Sequence, residues 1–269
     1  MTATSIVGFD SAWTDQVRAP GAVCVLRCND AGITFLPPRL ATFAQALETI
    51  EHEASLTSRT LVAIDQPTLV PNAIGSRPVD KVAASLVSWL GGGVQPANRS
   101  KLGMFDDGAP IWKFKRALAA VEDPEAARSA QNGRFIIEIF PALAIPTLAV
   151  EFCGRLLGAR YNPGRRKTFN HGHWLGVLEC AAAAGDRLGI RGLSEWCRSP
   201  ELTGHPKKSD QDQLDSVLCA IVGYAWLFQA RSDSLMIGDT ITGYIITPAA
   251  GLARERLLAA AAHRDIHCR

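Results

Sequence analysis

The sequence lacks the signatures of several protein classes. Its seven cysteines are an odd number and include no C-x-x-C pair, which excludes a disulfide framework and a zinc ribbon. No run approaches the roughly 18 apolar residues of a membrane-spanning helix, and no basic segment followed by a long apolar stretch opens the chain. We therefore expect a cytoplasmic protein that does not insert into a membrane. The 28 basic and 26 acidic residues leave a net charge of +2, too balanced to indicate nucleic-acid binding by charge alone.

Two motifs of common enzymes are also missing. No G-x-S-x-G occurs, which excludes the serine nucleophile of the α/β-hydrolases. The triplet Gly91-Gly92-Gly93 is followed by no Lys-Ser or Lys-Thr pair and preceded by no predicted strand. We interpret it as the end of a helix and not as a phosphate loop. The chain shows no internal repeat, and its composition, 47% hydrophobic and 20% charged, is ordinary for a soluble globular enzyme.

Three short apolar runs, each typical of a buried strand, end in or near an acidic residue. An ionised carboxylate at the rim of an apolar core must be paired, hydrogen-bonded or bound to a metal. A single such aspartate more often accepts backbone N–H bonds in the following turn. The recurrence instead favours a shared site at the carboxyl ends of the strands, where open α/β sheets bind ligands. The acids are Asp10 after residues 5–9, Asp65 after residues 61–64, and Glu138 within residues 135–139.

The order of the predicted elements indicates an α/β fold with a central mixed sheet of about five strands flanked by helices. Three strands come first, followed by an amphipathic helix at 42–54 and the strand that ends at Asp65. Residues 71–131 break this rhythm, and we interpret them as an insertion that forms a lid or wall over the strand ends. We predict a single domain over residues 1–269, closed by an extension at 232–269. Further helices are predicted at 80–90, 111–121, 142–157, 174–188, 209–229 and 252–262, and a small strand or hairpin at 238–247.

The helix predicted at 209–229 carries acids in its first two turns. Asp212 and Asp215 are spaced i, i+3, so both carboxylates can point at one site. Helix capping explains Asp212, because Ser209 is a good N-cap and acids in a first turn favour the helix dipole by roughly 0.3–1 kcal/mol. It does not explain Asp215, which lies further along the helix at the border of its apolar stripe.

Carboxylates that converge from strand ends and a helix repel one another, and burial raises their pKa values further. A divalent cation removes both problems. All-oxygen ligands select hard ions, so we expect Mg²⁺ or Mn²⁺. Two such ions about 4 Å apart can activate a water molecule and stabilise the leaving oxygen of a phosphodiester.

The chain resembles the ribonuclease H-like superfamily, particularly its Holliday-junction resolvase branch, in three features: Asp10 ends the first strand, Asp65 ends the fourth, and Asp212 and Asp215 stand near the start of a late helix. Six short motifs, taken as a set, make the resemblance more specific. More closely, the chain resembles the family called domain of unknown function 429, a family of predicted nucleases of ribonuclease H fold. The motifs are Gly8-Phe9-Asp10, Ile64-Asp65-Gln66-Pro67, Val70-Pro71-Asn72 with Gly75 and Arg77-Pro78, Pro96-Ala97-Asn98-Arg99, Glu138-Ile139-Phe140-Pro141 and residues 212–220.

The resemblance implies a three-layer ribonuclease H-like fold and a metal-dependent nuclease that uses a two-metal carboxylate mechanism. It implies Asp10, Asp65, Asp212 and Asp215 as metal ligands, with Glu138 as a further catalytic acid. The same motifs suggest substrate contacts from Asn72, Arg77, Asn98 and Arg99. Nucleic acid is the partner that this interpretation suggests, and a homodimer is left open.

Two other functions stay open. Actin-like kinases and ATPases share the core fold and its strand-end aspartate. They need glycine-rich hairpins beside that aspartate to admit phosphates, and none follows Asp10 or Asp65. The third hypothesis is a non-catalytic protein that binds a metal or nucleic acid. Three basic groups would hold a phosphate backbone if they converge beside the acids, and are a solvated surface if they scatter. They are Lys113-Lys115-Arg116, Arg165-Arg166-Lys167 and Lys207-Lys208.

Overall fold

The computed structural model describes residues 2–269, which form eight strands and ten α-helices. The strands are β1 (Thr4–Asp10), β2 (Gly21–Asn29), β3 (Gly32–Ala41), β4 (Arg59–Asp65), β5 (Gly133–Glu138), β6 (Ile190–Arg191), β7 (Ser234–Asp239) and β8 (Gly243–Pro248). The helices are α1 (Phe43–Leu56), α2 (Pro78–Trp89), α3 (Pro110–Leu118), α4 (Pro124–Ser129), α5 (Pro141–Leu148), α6 (His171–Leu188), α7 (Leu193–Cys197), α8 (Pro200–Thr203), α9 (Lys208–Phe228) and α10 (Gly251–His263).

Six strands form one mixed sheet in the order β5-β4-β1-β2-β3-β6. Strands β1, β2 and β3 are antiparallel neighbours, and β4 and β5 run parallel to β1 on its other side. The register pairs Asp10 with Asp65, and Ile64 with Glu138. The carboxyl ends of β1, β4 and β5 therefore meet at one edge of the sheet, as the strand-end acids predicted.

The sheet has one strand more than the sequence predicted. The sixth strand, β6, is only two residues long and pairs in parallel with Ile33 and Thr34 of β3. Two residues carry too little periodicity to be recognised from sequence. The small strand or hairpin expected at 238–247 is an antiparallel hairpin, β7–β8, which begins at Ser234 and forms a separate two-stranded sheet.

Two glycines allow α9 to lie directly on the sheet. A Cβ atom at Gly8 would come within 2.0 Å of the carbonyl oxygen of Ser216, and one at Gly223 within 2.9 Å of the Ile6 side chain. Because side chains alternate along a strand, Ile6, Gly8 and Asp10 share the face that α9 covers. The close approach brings the first turns of α9 to the ends of β1 and β4.

The opposite face of the sheet is covered by α1 and α3. Phe9 of β1 meets Phe43 and Phe114 there, with ring centroids 5.4 Å and 5.6 Å away. Val7 and Ile64 belong to the same buried cluster. The sheet is therefore packed between helices on both faces, in agreement with the predicted α/β class.

Most predicted helices are present, with shifted boundaries. The helix predicted at 142–157 is too long, since α5 ends at Leu148 and a 3₁₀ turn, Val150–Phe152, follows. Pro146 lies inside α5, lacks an N–H and crowds the preceding turn, which accounts for the early end. The short helices α4, α7 and α8 were not predicted. Within residues 2–269, no helix combines the length and the apolar character needed to cross a bilayer.

Candidate metal centre

Three carboxylates from three different elements meet at the edge of the sheet. Asp10 ends β1, Asp65 ends β4, and Asp215 lies in the second turn of α9. One oxygen atom of each lies within 4.8 Å of those of the other two. Asp10 and Asp215 are buried, with 6% and 3% of their surface exposed, whereas Asp65 is half-buried. We call these three residues the acidic triad; its donor set could hold a hard metal ion.

Burial and mutual repulsion disfavour the charged forms of the triad. The pKa of Asp10 is raised well above its usual range, first by burial and then by the charges of Asp65 and Asp215. Burial and Asp215 likewise raise the pKa of Asp65. Burial raises the pKa of Asp215 to about 7, against the opposing influence of its hydrogen bonds and of Lys208. Ionisation of the triad is thus opposed by burial and by mutual repulsion, which the hydrogen bonds to Asp215 and the charge of Lys208 offset only in part.

Two side chains fix the orientation of Asp215. The Tyr161 hydroxyl donates to Asp215 Oδ1 at 2.7 Å, and Gln211 Nε2 donates to Asp215 Oδ2. Asp10 Oδ1 accepts only a longer bond from the Ala12 backbone, at 3.3 Å. Across residues 2–269, no donor is hydrogen-bonded to the Asp65 carboxylate. The oxygens of Asp10 and Asp65 therefore retain lone pairs for a ligand.

Asp212 stands apart from the triad. Its carboxylate is buried and accepts a hydrogen bond from Lys208 Nζ, one helical turn earlier. Although burial opposes it, the charges of Asp10 and Asp212 raise the pKa of Lys208. Lys208 also lowers the pKa values of Asp10, Asp65 and Asp215, so this ammonium partly neutralises the whole cluster. The structure does not bring Asp212 into the triad, because an i, i+4 ion pair engages it instead.

Glu138 also lies outside the triad, because its side chain leaves β5 on the other face of the sheet. It is paired in register with Ile64, not with Asp65, and alternation therefore directs it away from the α9 face. Both of its oxygens accept bonds from Arg77, at 2.6 and 2.8 Å, and Oε2 also accepts from the Thr68 backbone. Glu138, which the resemblance implies as a further catalytic acid, is thus engaged in a buried ion pair with Arg77.

Arg77 is part of that ion pair and is only 1% exposed. Its guanidinium donates to Asp80, Glu138 and the carbonyl oxygen of Leu69. These bonds occupy every N–H of the guanidinium, which leaves none for a substrate. The position of Arg77 indicates a structural role, in which it joins α2 to β5.

The other three residues with suggested substrate contacts support the loops of the insertion. Asn72 donates to the carbonyl oxygens of Ile74 and Ala97, at 3.1 and 2.9 Å. Asn98 donates to the Gly75 carbonyl at 2.7 Å. Arg99 pairs with Asp107 and lies over the Trp112 ring, 4.8 Å from its centroid. A cavity lined in part by Asp65 and Asp215 opens beside the triad, and none of these three residues contributes to its wall.

The basic groups converge on the triad only in part. Lys208 contacts Asp212 beside the triad, and Arg165 lines the cavity that Asp65 and Asp215 also line. Lys115, by contrast, bonds the Thr68 carbonyl and Glu122. Of the three predicted basic groups, one therefore places a cation beside the acids, and a second places one in the wall of the cavity that they line.

Sequence reasoning missed Tyr161 and Gln211. Gln211 precedes Asp215 by four residues on the same helix, a spacing that could have indicated their contact. Tyr161 lies in the loop between α5 and α6, where no periodicity predicts the direction of a side chain.

Comparison with known proteins identifies a family but no close relative. The family described as Protein of unknown function (DUF429) matches residues 8–239, most of the chain and all three triad residues. No curated protein and no solved structure matches the chain significantly.

Proposed function

The chain belongs to the DUF429 family, and from its acidic triad we propose that it is a divalent-cation-dependent hydrolase of phosphodiester bonds, acting on nucleic acid. The observation that carries the proposal is the meeting of Asp10, Asp65 and Asp215 within 4.8 Å. Buried like charges at this separation are unfavourable without a cation. No cysteine or histidine belongs to the group, so the donor set fits Mg²⁺ or Mn²⁺.

The strand order supports a ribonuclease H-like three-layer fold. Three antiparallel strands are followed along the chain by two that run parallel to the first, between helices on both faces. This arrangement agrees with the fold implied by the six sequence motifs. It also places the first and fourth strands side by side, as a site shared by Asp10 and Asp65 requires.

The side chains around the triad have distinct roles in the proposal. Tyr161 and Gln211 orient Asp215, and the Arg165 guanidinium is available for a phosphate oxygen. When bound, a divalent ion would lower the pKa of a coordinated water molecule and stabilise negative charge on the phosphoryl oxygens. The triad provides ligands for one ion. A two-metal mechanism needs a second ion, and Asp212 could bind it only after its ion pair with Lys208 is broken.

The ion pair of Lys208 with Asp212 favours the alternative that the protein is not an enzyme. The Lys208 ammonium lies beside Asp212 and offsets part of the negative charge of the cluster. If that compensation is sufficient, the cluster is stable without a metal, and the fold is a scaffold for binding alone. The actin-like kinases are disfavoured because no glycine-rich hairpin follows Asp10 or Asp65. The triplet Gly91-Gly92-Gly93 lines the cavity, but it follows the end of α2 and no strand.

The deciding experiment measures metal-dependent stability and hydrolysis in the same samples. Mn²⁺ should raise the melting temperature by binding the native state alone, and the wild type should cleave single-stranded oligonucleotides slowly. Asp65→Asn should abolish both effects. Asp265→Asn is the matched control, because Asp265 is exposed and its left-handed backbone suits asparagine. Melting curves and cleavage that do not respond to Mn²⁺ would refute the proposal.

A further inference from the structure

A cavity of about 380 Å³ opens directly beside the triad. Asp65 and Asp215 line one part of it, and the ends of α2 and α5 supply apolar walls. The apolar side chains include Leu90, Phe140, Ile145 and Phe152. Its volume is at the lower end of the range for small-molecule sites, roughly 300–1,000 Å³, so it admits one small group and not a helix or a duplex.

Gln211 presents an unsatisfied acceptor to this cavity. The residue is 7% exposed and lines the cavity. Its Nε2 donates to Asp215, whereas its Oε1 is buried and bonded to no donor within residues 2–269. Buried polar atoms are nearly always hydrogen-bonded. The oxygen is therefore free to accept a hydrogen bond from an N–H or O–H group of a ligand.

Two arginines at the cavity have free guanidinium groups. Arg160 and Arg165 are exposed and line the cavity, and neither side chain has an acidic partner or a hydrogen bond in the described part of the chain. Arg77, by comparison, uses all its donors inside the protein. Free guanidinium groups beside a carboxylate cluster suit an anionic ligand, and their fork geometry matches phosphate.

We propose that the cavity is a base pocket, which takes one unpaired nucleobase of the substrate and so selects single-stranded or extruded nucleotides. This inference rests on the proposed function and names its substrate class. A nucleobase has planar apolar faces for Phe140 and Phe152 and ring-edge N–H groups for Gln211 Oε1. Its phosphate reaches Arg160, Arg165 and the triad at the same time. A base inside a duplex is stacked and paired and cannot enter such a pocket.

The first test measures binding without turnover. In Ca²⁺, guanosine 5′-monophosphate should bind at least about tenfold more tightly than ribose 5-phosphate, which lacks the base. Ala142→Trp should remove that difference, because Ala142 is a half-buried residue of the wall. Ala259→Trp on α10 is the exposed, remote control and should retain it. Equal affinity of the two ligands for the wild type would overturn the proposal.

A second filling variant guards against misfolding of Ala142→Trp. Gly93 lines the cavity from an exposed loop, and a Cβ atom added there meets nothing within 4 Å. Gly93→Trp should therefore fold and should also weaken nucleotide binding, with ribose 5-phosphate unaffected. Arg165→Ala should weaken the binding of both ligands by the same factor, since the proposal has Arg165 contact the phosphate that both ligands carry. Retention of base-dependent binding by both tryptophan variants would refute the pocket.

The second test compares one oligonucleotide free and in a duplex, in Mn²⁺. The base pocket predicts cleavage of the free strand at least about tenfold faster than of the same strand in the duplex, because extrusion must precede entry. If the free strand and the duplex are cleaved at equal rates, and Ala142→Trp does not change those rates, the base pocket is refuted while the proposed hydrolase activity is retained. If binding depends on the base in Ca²⁺ but no cleavage occurs in Mn²⁺, the base pocket is supported and the proposed hydrolase activity is refuted. Competition of mononucleotides and of oligonucleotides with bound guanosine 5′-monophosphate then shows whether the pocket prefers a free nucleotide or a base within a strand.

Discussion

Replacement of Asp215 by asparagine tests whether the triad is built for a cation or for stability. The pKa of Asp215 is raised from 3.8 to about 7. Each pKa unit corresponds to about 1.36 kcal/mol, so ionising this carboxyl in the folded protein costs about 4 kcal/mol at most. Asparagine removes that cost. It also weakens the bonds from Tyr161 and Gln211, by about 1 kcal/mol each. We therefore expect Asp215→Asn to raise the free energy of unfolding by about 1–2 kcal/mol in EDTA at pH 8.

The sign of the pH dependence follows from the direction of the shift. Because the folded pKa of Asp215 exceeds the unfolded value, the native state binds more protons between about pH 4 and pH 7. The stability of the metal-free wild type should therefore fall as pH rises through this window. Asp215→Asn should show a shallower fall and should lose its advantage at pH 4, where the wild-type carboxyl is protonated.

Urea melts of both proteins at pH 4, 6 and 8, each in EDTA and in Mn²⁺, measure these quantities. The Tyr161 hydroxyl can still donate to the amide oxygen of the variant, and Gln211 can turn its amide so that its free Oε1 accepts from the new N–H. A variant that is less stable at pH 8 by about 1–3 kcal/mol, and still stabilised by Mn²⁺, would show that Asp215 is structural. That result would refute the assignment of Asp215 to the metal site.

Three further predictions concern the other residues around the site. Asp10→Asn should abolish stabilisation by millimolar Mn²⁺ in calorimetry, and a retained melting shift would exclude Asp10 as a ligand. Arg77→Met should lower the free energy of unfolding by about 3–5 kcal/mol, because it leaves two buried carboxylates without their partner; a loss below about 1 kcal/mol in urea melts would contradict this role. Gly8→Ala should displace α9, since its Cβ would meet Ser216, and should lower both stability and Mn²⁺ response relative to Gly93→Ala, where space is open. Equal responses of the two alanine variants would refute the close-packing argument.

The sequence predicted the parts of the site that depend on local pattern. Asp10 and Asp65 both close apolar strands, and parallel neighbours end at the same edge, so their proximity could be inferred from the runs alone. Asp215 was distinguishable from Asp212 because it lies against the apolar stripe of its helix. The partner of Asp212 was not predicted, although Lys208 precedes it by four residues, a spacing that could have indicated the ion pair.

The remaining features depend on long-range register and on loops. Whether Glu138 joins the triad is decided by its pairing with Ile64, because a shift of one residue would turn its side chain to the other face. No property of the run 135–139 fixes that register. Tyr161 reaches Asp215 from a loop 54 residues away, and such a contact leaves no periodic trace in the sequence.

The position of Lys208 determines how the triad and a metal would coexist. Its ammonium and a divalent ion are attracted by the same carboxylates, so they compete. Lys208, the first residue of α9, is held by Asp212. Because its side chain is about half exposed, at 52%, it can turn toward solvent without opening the core. Displacement of Lys208 would free Asp212 as a further oxygen donor. The same lysine can therefore partly neutralise the acids before a metal binds and give up its place to the metal afterwards.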